Sequence, residues 1–242
     1  MARDQLFCFL DVLGFSNLVE TRGLAAIYFD YQELLKAADQ QEHEGLVFSS
    51  WQGTPYFSME KLQSSYFSDT IALWCPYHPR DFQSLCYSTM EVLCKAIEIG
   101  LPLRGSISVG EAILDKKRQH FVGKPIVSAA EAEKAQKWIG VTLSKEFREP
   151  PFNGSFSAAC FMPYEKHLKE GTLSAVTPLV LDYPRWWRKS REPSIYEAIS
   201  RLDTDPKFSC YYQNALEFAH YSATNSRWWE SHQSYRESLN NA

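Results

Sequence analysis

The chain has 242 residues, 45% hydrophobic and 22% charged, a balance that suits a folded globular protein with a sizeable core. Its formal net charge of −4 leaves no general basic surface for nucleic acid or an anionic membrane, although a small basic pocket for a polyphosphate stays open. The start, Met1-Ala2-Arg3-Asp4, lacks the apolar core of a signal peptide, and no apolar run approaches membrane-spanning length. The 6 cysteines (Cys8, Cys75, Cys86, Cys94, Cys160, Cys210) form no CxxC pair and read as free thiols in a reducing compartment, so a cytoplasmic protein is expected. The 6 histidines show no HExxH or other paired ligand spacing, so no structural zinc site is expected.

Residues 5–12 read as a strand, apolar on both faces, which suits the middle of a sheet. Leu24, Ile27, Tyr28, Tyr31 and Leu35 recur at helical spacing, which predicts a helix over 17–39. Val47 and Phe48 suit a strand, and Gly53-Thr54-Pro55 marks a turn. Tyr66 to Trp74 predicts one strand, ended by Pro76 and Pro79. Phe82, Leu85, Cys86, Leu93, Ala96 and Ile97 form the apolar stripe of a helix that stops at Gly100 and Pro102.

Leu101, Leu103, Ile107 and Val109 alternate with Arg104, Ser106 and Ser108, a half-polar strand. Asp115-Lys116-Lys117-Arg118 follows as a hairpin tip, better read as a solvated turn than as a phosphate clamp. His120 to Gly123 leads to Pro125 and a short helix, with Ser128 and Glu131 at capping-box spacing. Trp138 to Leu143 is a further strand. After Pro150-Pro151 aromatics and prolines become frequent, with tandem tryptophans at Trp186-Trp187 and Trp228-Trp229 and a late helix through Tyr212, Ala215, Leu216 and Ala219. Residues 1–148 therefore read as one strand–helix domain. Residues 149–242 read as an extension packed on that domain or on a second subunit.

Two acids sit in otherwise apolar stretches. Asp11 follows Phe9-Leu10, and Asp69 precedes Thr70-Ile71-Ala72-Leu73. Burying an unpaired carboxylate is costly, so each needs a partner or a cation. If their strands are neighbours, the two can share divalent ions whose remaining ligands are phosphate and water, the usual arrangement in nucleotide chemistry. The blander reading, that each Asp caps a nearby turn or helix, has even weight for Asp11 alone and less for the pair.

The order of these motifs resembles class III nucleotidyl cyclases over about residues 1–145. Asp11-Val12-Leu13-Gly14-Phe15-Ser16 resembles the first metal motif, and Ser68-Asp69 the second, on a hairpin strand. Leu103-Arg104-Gly105-Ser106-Ile107-Ser108-Val109-Gly110-Glu111 looks like the family's Leu-Arg-x-Gly strand, and Phe121-Val122-Gly123 with Ala129-Ala130 like the turn and helix after it. The resemblance implies an α+β, ferredoxin-like core, a central antiparallel sheet covered by helices, with a mixed, aromatic-rich extension. It implies that Asp11, the Val12 carbonyl and Asp69 hold two Mn²⁺ or Mg²⁺ ions, with Asp11 and Asp69 catalytic. Gly14, Phe15 and Ser16 would wrap the triphosphate, while Ser65 and Tyr66 would lie at the base and Arg104 would supply a phosphate cation or a structural contact. The implied reaction is attack of the ribose 3′-oxygen on the α-phosphate with loss of pyrophosphate.

Departures from the family pattern narrow this. The positions of its transition-state Asn and Arg fall near Val127 and Glu131, and its adenine-reading Lys and partner near Ser65 and His120. An adenine pocket is not expected. A small cyclase with an altered base pocket and an aromatic extension is similar to the pyrimidine cyclases of bacterial Pycsar antiphage systems. That implies UTP, or else CTP, as substrate and a cyclic mononucleotide read by a separate effector. Class III sites form between subunits, so a homodimer with shared sites is implied. Two other readings stand beside it: a catalytically inactive cyclase-like domain that binds nucleotide or a partner, and another two-metal phosphotransferase with a polymerase-like palm, which does not explain the Leu-Arg-Gly strand.

Overall fold

The structure is a computed structural model that describes residues 2–43, 47–49, 55–57, 62–148, 160–202 and 206–228. Strand β1 (Arg3–Val12) is followed by two helices, α1 (Phe15–Arg22) and α2 (Leu24–His43). The single helix expected over 17–39 is divided at Gly23, whose φ of 83° ends α1 with its amide on the Val19 carbonyl. A side hairpin, β2 (Val47–Ser49) and β3 (Pro55–Phe57), pairs only within itself among the described residues. Gly53 and Thr54 of the expected turn lie outside the described residues.

The strand expected over 66–74 is two strands, β4 (Gln63–Phe67) and β5 (Thr70–Pro76), joined by a tight turn at Ser68-Asp69. Ser68 takes a φ of 55°, so no glycine or proline marked the turn in the sequence. Tyr31 of α2 secures it, its hydroxyl donating to the Ser68 carbonyl at 2.5 Å. Asp69 is therefore a turn residue rather than part of a strand.

Helix α3 (Pro79–Ile99) buries Phe82, Leu85, Met90, Leu93 and Ile97, the face its spacing predicts. Next come β6 (Leu103–Asp115), β7 (His120–Gly123) and α4 (Lys124–Lys134). The capping box does not form. α4 begins at Gly123-Lys124, which leaves Ser128 in mid-helix bonding Glu146 at 2.6 Å, while Glu131 pairs with Lys145. Strand β8 (Gly140–Ser144) completes the first 148 residues, apart from a short 3₁₀ turn at Lys145–Arg148.

The β1–α–β4–β5–α3–β6 order, with strands arranged β4-β5-β1-β6, is the split βαβ arrangement of a ferredoxin-like core. The sheet is mixed rather than purely antiparallel, because β6 and β8 run parallel through the crossover helix α4. Residues beyond 148 extend this same sheet. β10 (Val176–Leu181) pairs with β8, and β9 (Phe161–Pro163) pairs with β10. Helices α5 (Tyr183–Ser190), α6 (Ile195–Ser200) and α7 (Ser209–Thr224) then return to the core.

One face of β1 carries Leu6, Cys8 and Leu10 into the main core with residues of α2 and α3. The other carries Phe7 and Phe9, partly covered by α4. The half-polar face of β6 lies under α4: the Ser106 hydroxyl donates to the Ala129 carbonyl at 2.6 Å. Among the described residues no helix is long and apolar enough to cross a membrane.

The tandem tryptophans pack within the chain. Trp187 is fully buried, the Trp186 indole donates to Glu91 of α3 at 2.8 Å, and that of Trp228 to the Phe161 carbonyl at 3.0 Å, whereas Trp229 lies outside the described residues. Arg191 binds both Glu91 and Glu98 of α3, fixing α5 against the core. Trp187→Ala is expected to lose about 3–5 kcal/mol in urea unfolding, because a large cavity opens in a close-packed core. A loss within surface-mutation range would contradict this packing.

His167 lies fully buried against Trp138, ring centroids 4.2 Å apart, and among the described residues neither ring nitrogen has a partner. Burial pushes its pKa down to about 3 from 6.5. The unfolded chain takes up a proton here below about 6.5 and the folded chain does not, so stability is intact above that pH and falls as pH drops toward 3. His167→Phe should therefore gain stability relative to the parent between neutral pH and about pH 5 in urea unfolding. Parallel stability curves would contradict the assignment.

Candidate active site

Asp11, next to last in β1, lies directly opposite Thr70 of β5 and Arg104 of β6. Strand alternation puts it on the face of Phe7 and Phe9, away from the main core. The chain beyond it is tied on both sides. The Val12 amide donates to the Asp69 carbonyl at 3.0 Å, and the Leu13 amide to the Pro102 carbonyl at 2.8 Å. The β4–β5 turn and the end of β1 thus meet at one corner of the sheet, with Asp11 and Asp69 on them.

Gly14 caps α1 with a φ of 68°, a left-handed conformation that costs other residues about 1–2 kcal/mol. Phe15 and Ser16 open the helix, so amides of this turn are among those a helix start leaves unpaired. Phe15 packs on Tyr31 at 5.9 Å between ring centroids, and Tyr31 in turn holds Ser68. One aromatic side chain of α2 therefore braces both halves of the corner. Its phenol is raised to about 12, first by burial and then by the charge of Asp69.

Asp11 is raised from 3.8 to about 6. Burial is the main cause. The charges of Glu133 and Asp69 add to it, while the Arg104 charge and a hydrogen bond with Thr70 oppose it. The corner is short of positive charge. Glu133 of α4 is an acid that sequence reading missed. It is 4% exposed and ion-paired with Arg104, whose Nε lies 2.5 Å from its carboxylate. The signal that could have found it is Arg104 itself, a charged residue in a strand that a following helix must cover. Arg104 also donates to the Gln136 carbonyl at 3.1 Å, and its guanidinium lies over the Tyr211 ring at 5.6 Å. It is held by protein groups on three sides.

A cleft of about 290 Å³ opens on the same sheet face, lined by Phe7, Phe9, Phe67, Thr70, Ala72, Gln119, Phe121 and Ile126. Thr70 belongs to both features: it lines the cleft and sits opposite Asp11. Ser65, buried and paired with Ala72, shares this face. Tyr66 does not. It points to the other face, where its hydroxyl bonds Asp39 of α2. The structure thus brings Asp11, Val12, Asp69, Gly14, Phe15, Ser16 and Arg104 to one corner, sets Ser65 beside it and turns Tyr66 away. Val127 is exposed and Glu131 pairs with Lys145, so neither faces Asp11.

Several solved structures resemble this one. A bacterial light-regulated adenylyl cyclase is 8% identical, over 78% of this chain and 95% of that one, with a TM-score of 0.47. The catalytic core of a rhodopsin-guanylyl cyclase with converted specificity, in complex with ATPαS, is 10% identical over 71% and 91%, with a TM-score of 0.47. A class III adenylyl cyclase-like ATP-binding protein from Pseudomonas aeruginosa is 10% identical over 93% and 44%, with a TM-score of 0.42. No family model and no curated protein matches the chain. Likeness of this degree carries no function from those proteins to this one.

The corner's own chemistry fits a divalent cation. Two carboxylates on rigid backbone, one of them lifted by desolvation and by its acid neighbours, are relieved by a cation placed between them. Among the described residues no three His, Cys, Asp or Glu cluster closely enough to hold a metal ion by themselves.

The Arg104–Glu133 pair is nearly buried, at 12% and 5% side-chain exposure. Arg104→Met is expected to cost about 3–5 kcal/mol by stranding the Glu133 charge, and adding Glu133→Gln should recover part of that loss in urea unfolding. A double variant no more stable than the single one would show that the pair is not coupled.

Proposed function

We propose that the chain is a nucleotidyl cyclase that converts a pyrimidine nucleoside triphosphate, UTP in preference to CTP, to a 3′,5′-cyclic nucleotide and pyrophosphate. The observation that carries this reading is the convergence of Asp11 and Asp69 at the mouth of the Gly14 turn, with an aromatic cleft adjoining on the same sheet face. Carboxylates, free amides and aromatic rings are what cations, phosphates and a base respectively require.

In this reading Asp11, Asp69 and the Val12 carbonyl hold the divalent ions, Mn²⁺ or Mg²⁺, and the amides of Gly14, Phe15 and Ser16 hold the phosphates, the Leu13 amide being taken by the Pro102 carbonyl. When bound, such ions lower the pKa of an attacking hydroxyl and neutralise charge on the phosphate. Phe9, Phe67 and Phe121 offer ring surface to the base, and Thr70 and Gln119 offer hydrogen bonds at its edge. The chain's part in the chemistry is to set the ribose 3′-oxygen in line with the α-phosphate and to exclude water from the cleft. Arg104 acts through its neighbours, because its guanidinium is already bound by the Glu133 carboxylate and the Gln136 carbonyl.

A homodimer with shared sites goes with this reading. Ile113 and Val122, opposite each other on the β6–β7 hairpin, and Val127 on α4 are exposed apolar residues that a second copy could cover. The pyrimidine preference, and a role for the product as a messenger read by a separate effector in antiphage defence, are supported by the sequence resemblance. A second reading, a cyclase-like domain that binds nucleotide without turning it over, is favoured by one observation: Val127 and Glu131 supply no Asn or Arg to the corner.

Incubating the purified protein with each of the four NTPs and Mn²⁺, with products identified by mass spectrometry, is expected to give a cyclic pyrimidine nucleotide. No cyclic product from any NTP would sink the cyclase reading in favour of the binding domain, and a product from ATP alone would overturn the base assignment. Asp69→Ala is expected to abolish turnover, a loss of at least about 10³-fold, with the thermal midpoint unchanged. Parent-like turnover would show that Asp69 holds no ion.

A further inference from the structure

Two contacts from one short segment, remote in sequence from the site, meet its two flanks. The first falls on the turn after Asp11: a Cβ placed at Gly14 would lie 3.0 Å from the Phe208 ring, so that ring covers the glycine. The second falls on the cross-strand neighbour of Asp11: the Tyr211 ring lies 5.6 Å from the Arg104 guanidinium. Phe208 and Tyr211 also pack edge to face, with centroids 5.6 Å apart, and lie on a 3₁₀ turn (Pro206–Phe208) running directly into α7.

We propose that Phe208 and Tyr211 form a clamp in which the extension of the chain fixes the phosphate-binding turn and the Asp11 corner in their working geometry. They are positioning residues and touch no reacting atom. Phe208 holds the Gly14 turn by apolar contact, because a glycine presents backbone where another residue would present a side chain. Tyr211 holds Arg104 by cation–π contact on a face that Glu133 and Gln136 leave free. Arg104 is the direct cross-strand neighbour of Asp11, so fixing one guanidinium fixes a wall of the corner in which the acid sits.

The far end of α7 is anchored separately. The Ser222 hydroxyl donates to Asp182 at 2.5 Å, and Arg188 donates to Ser222 at 2.9 Å. The clamp is thus a lever set on α5 and delivered to the corner, and any displacement of α7 is transmitted to the Gly14 turn. The proposal rests on reading Asp11 to Ser16 as the site, and its test needs neither nucleotide nor metal.

Hydrogen exchange of the full chain without nucleotide should be compared for the parent, Phe208→Ala, Tyr211→Ala and Tyr211→Phe. The two hydrogen-bonded amides that flank the turn, Leu13 on the Pro102 carbonyl and Leu18 on the Gly14 carbonyl, are expected to exchange about tenfold faster in both alanine variants, and Tyr211→Phe, which keeps the ring over Arg104, should restore parent behaviour. Amides of β1 and α3 should not change. Unchanged exchange at Leu13 and Leu18 in both alanine variants would overturn the proposal. So would an increase spread across the whole molecule, which would make these rings ordinary core residues. If the clamp is confirmed while NTP incubation yields no cyclic product, the cyclase reading fails alone.

Discussion

The arrangement turns on one crowded carboxylate. Asp11 ends a strand that must lie inside the sheet, so its carboxyl is partly withdrawn from water, and the Ser68-Asp69 turn and α4 bring two more acids toward it. Arg104 faces it across β6 and is shared with Glu133. Charges in such surroundings are held by partners or neutralised, and the partners here fall short of the acids. The deficit sets the character of the corner: it favours a cation, and through a cation it favours phosphate.

The rest of the fold supplies what that corner lacks on its own. Tyr31 reaches from α2 to both the β4–β5 turn and Phe15, so the two acid-bearing segments keep their spacing. The part of the outer sheet face left open beside the first turn of α4 becomes the aromatic cleft. The part of the chain beyond residue 148 continues the sheet through β10 and β9 and then returns α7 to the corner by way of Phe208 and Tyr211. Its tryptophans serve that return, and burial of Trp187 with the Arg191 contacts to α3 holds the helices in place.

The core strands and α3 were legible in the sequence because period-2 and period-3.6 patterns report which face is buried. The α+β, ferredoxin-like arrangement was implied by the resemblance of the ordered motifs to class III cyclases, and the strand order agrees with it. The Ser68 turn was hidden, because a left-handed serine inside a run of strand formers sends no turn signal, and only the packing of Tyr31 defines it. The Ser128–Glu131 pair had the right spacing for a cap, but Gly123 and Pro125 begin the helix earlier. Asp11 and Asp69 could be singled out as acids among apolar residues. Glu133 was signalled only indirectly, by a charged Arg104 in a strand that a helix must cover, and Phe208 and Tyr211 not at all, since their roles come from contacts between segments far apart in the chain.

Direct measurement of cation binding bears most closely on the shared-acid corner. Mn²⁺ titration of the full chain, followed by the loss of the free-ion paramagnetic resonance signal with a non-cyclisable nucleoside triphosphate analogue present, should show saturable binding. Asp11→Asn and Asp69→Asn should each weaken it by at least about tenfold while leaving the thermal midpoint unchanged. Mn²⁺ affinity equal to the parent's in both variants would contradict the account, because the two acids would then share no ion.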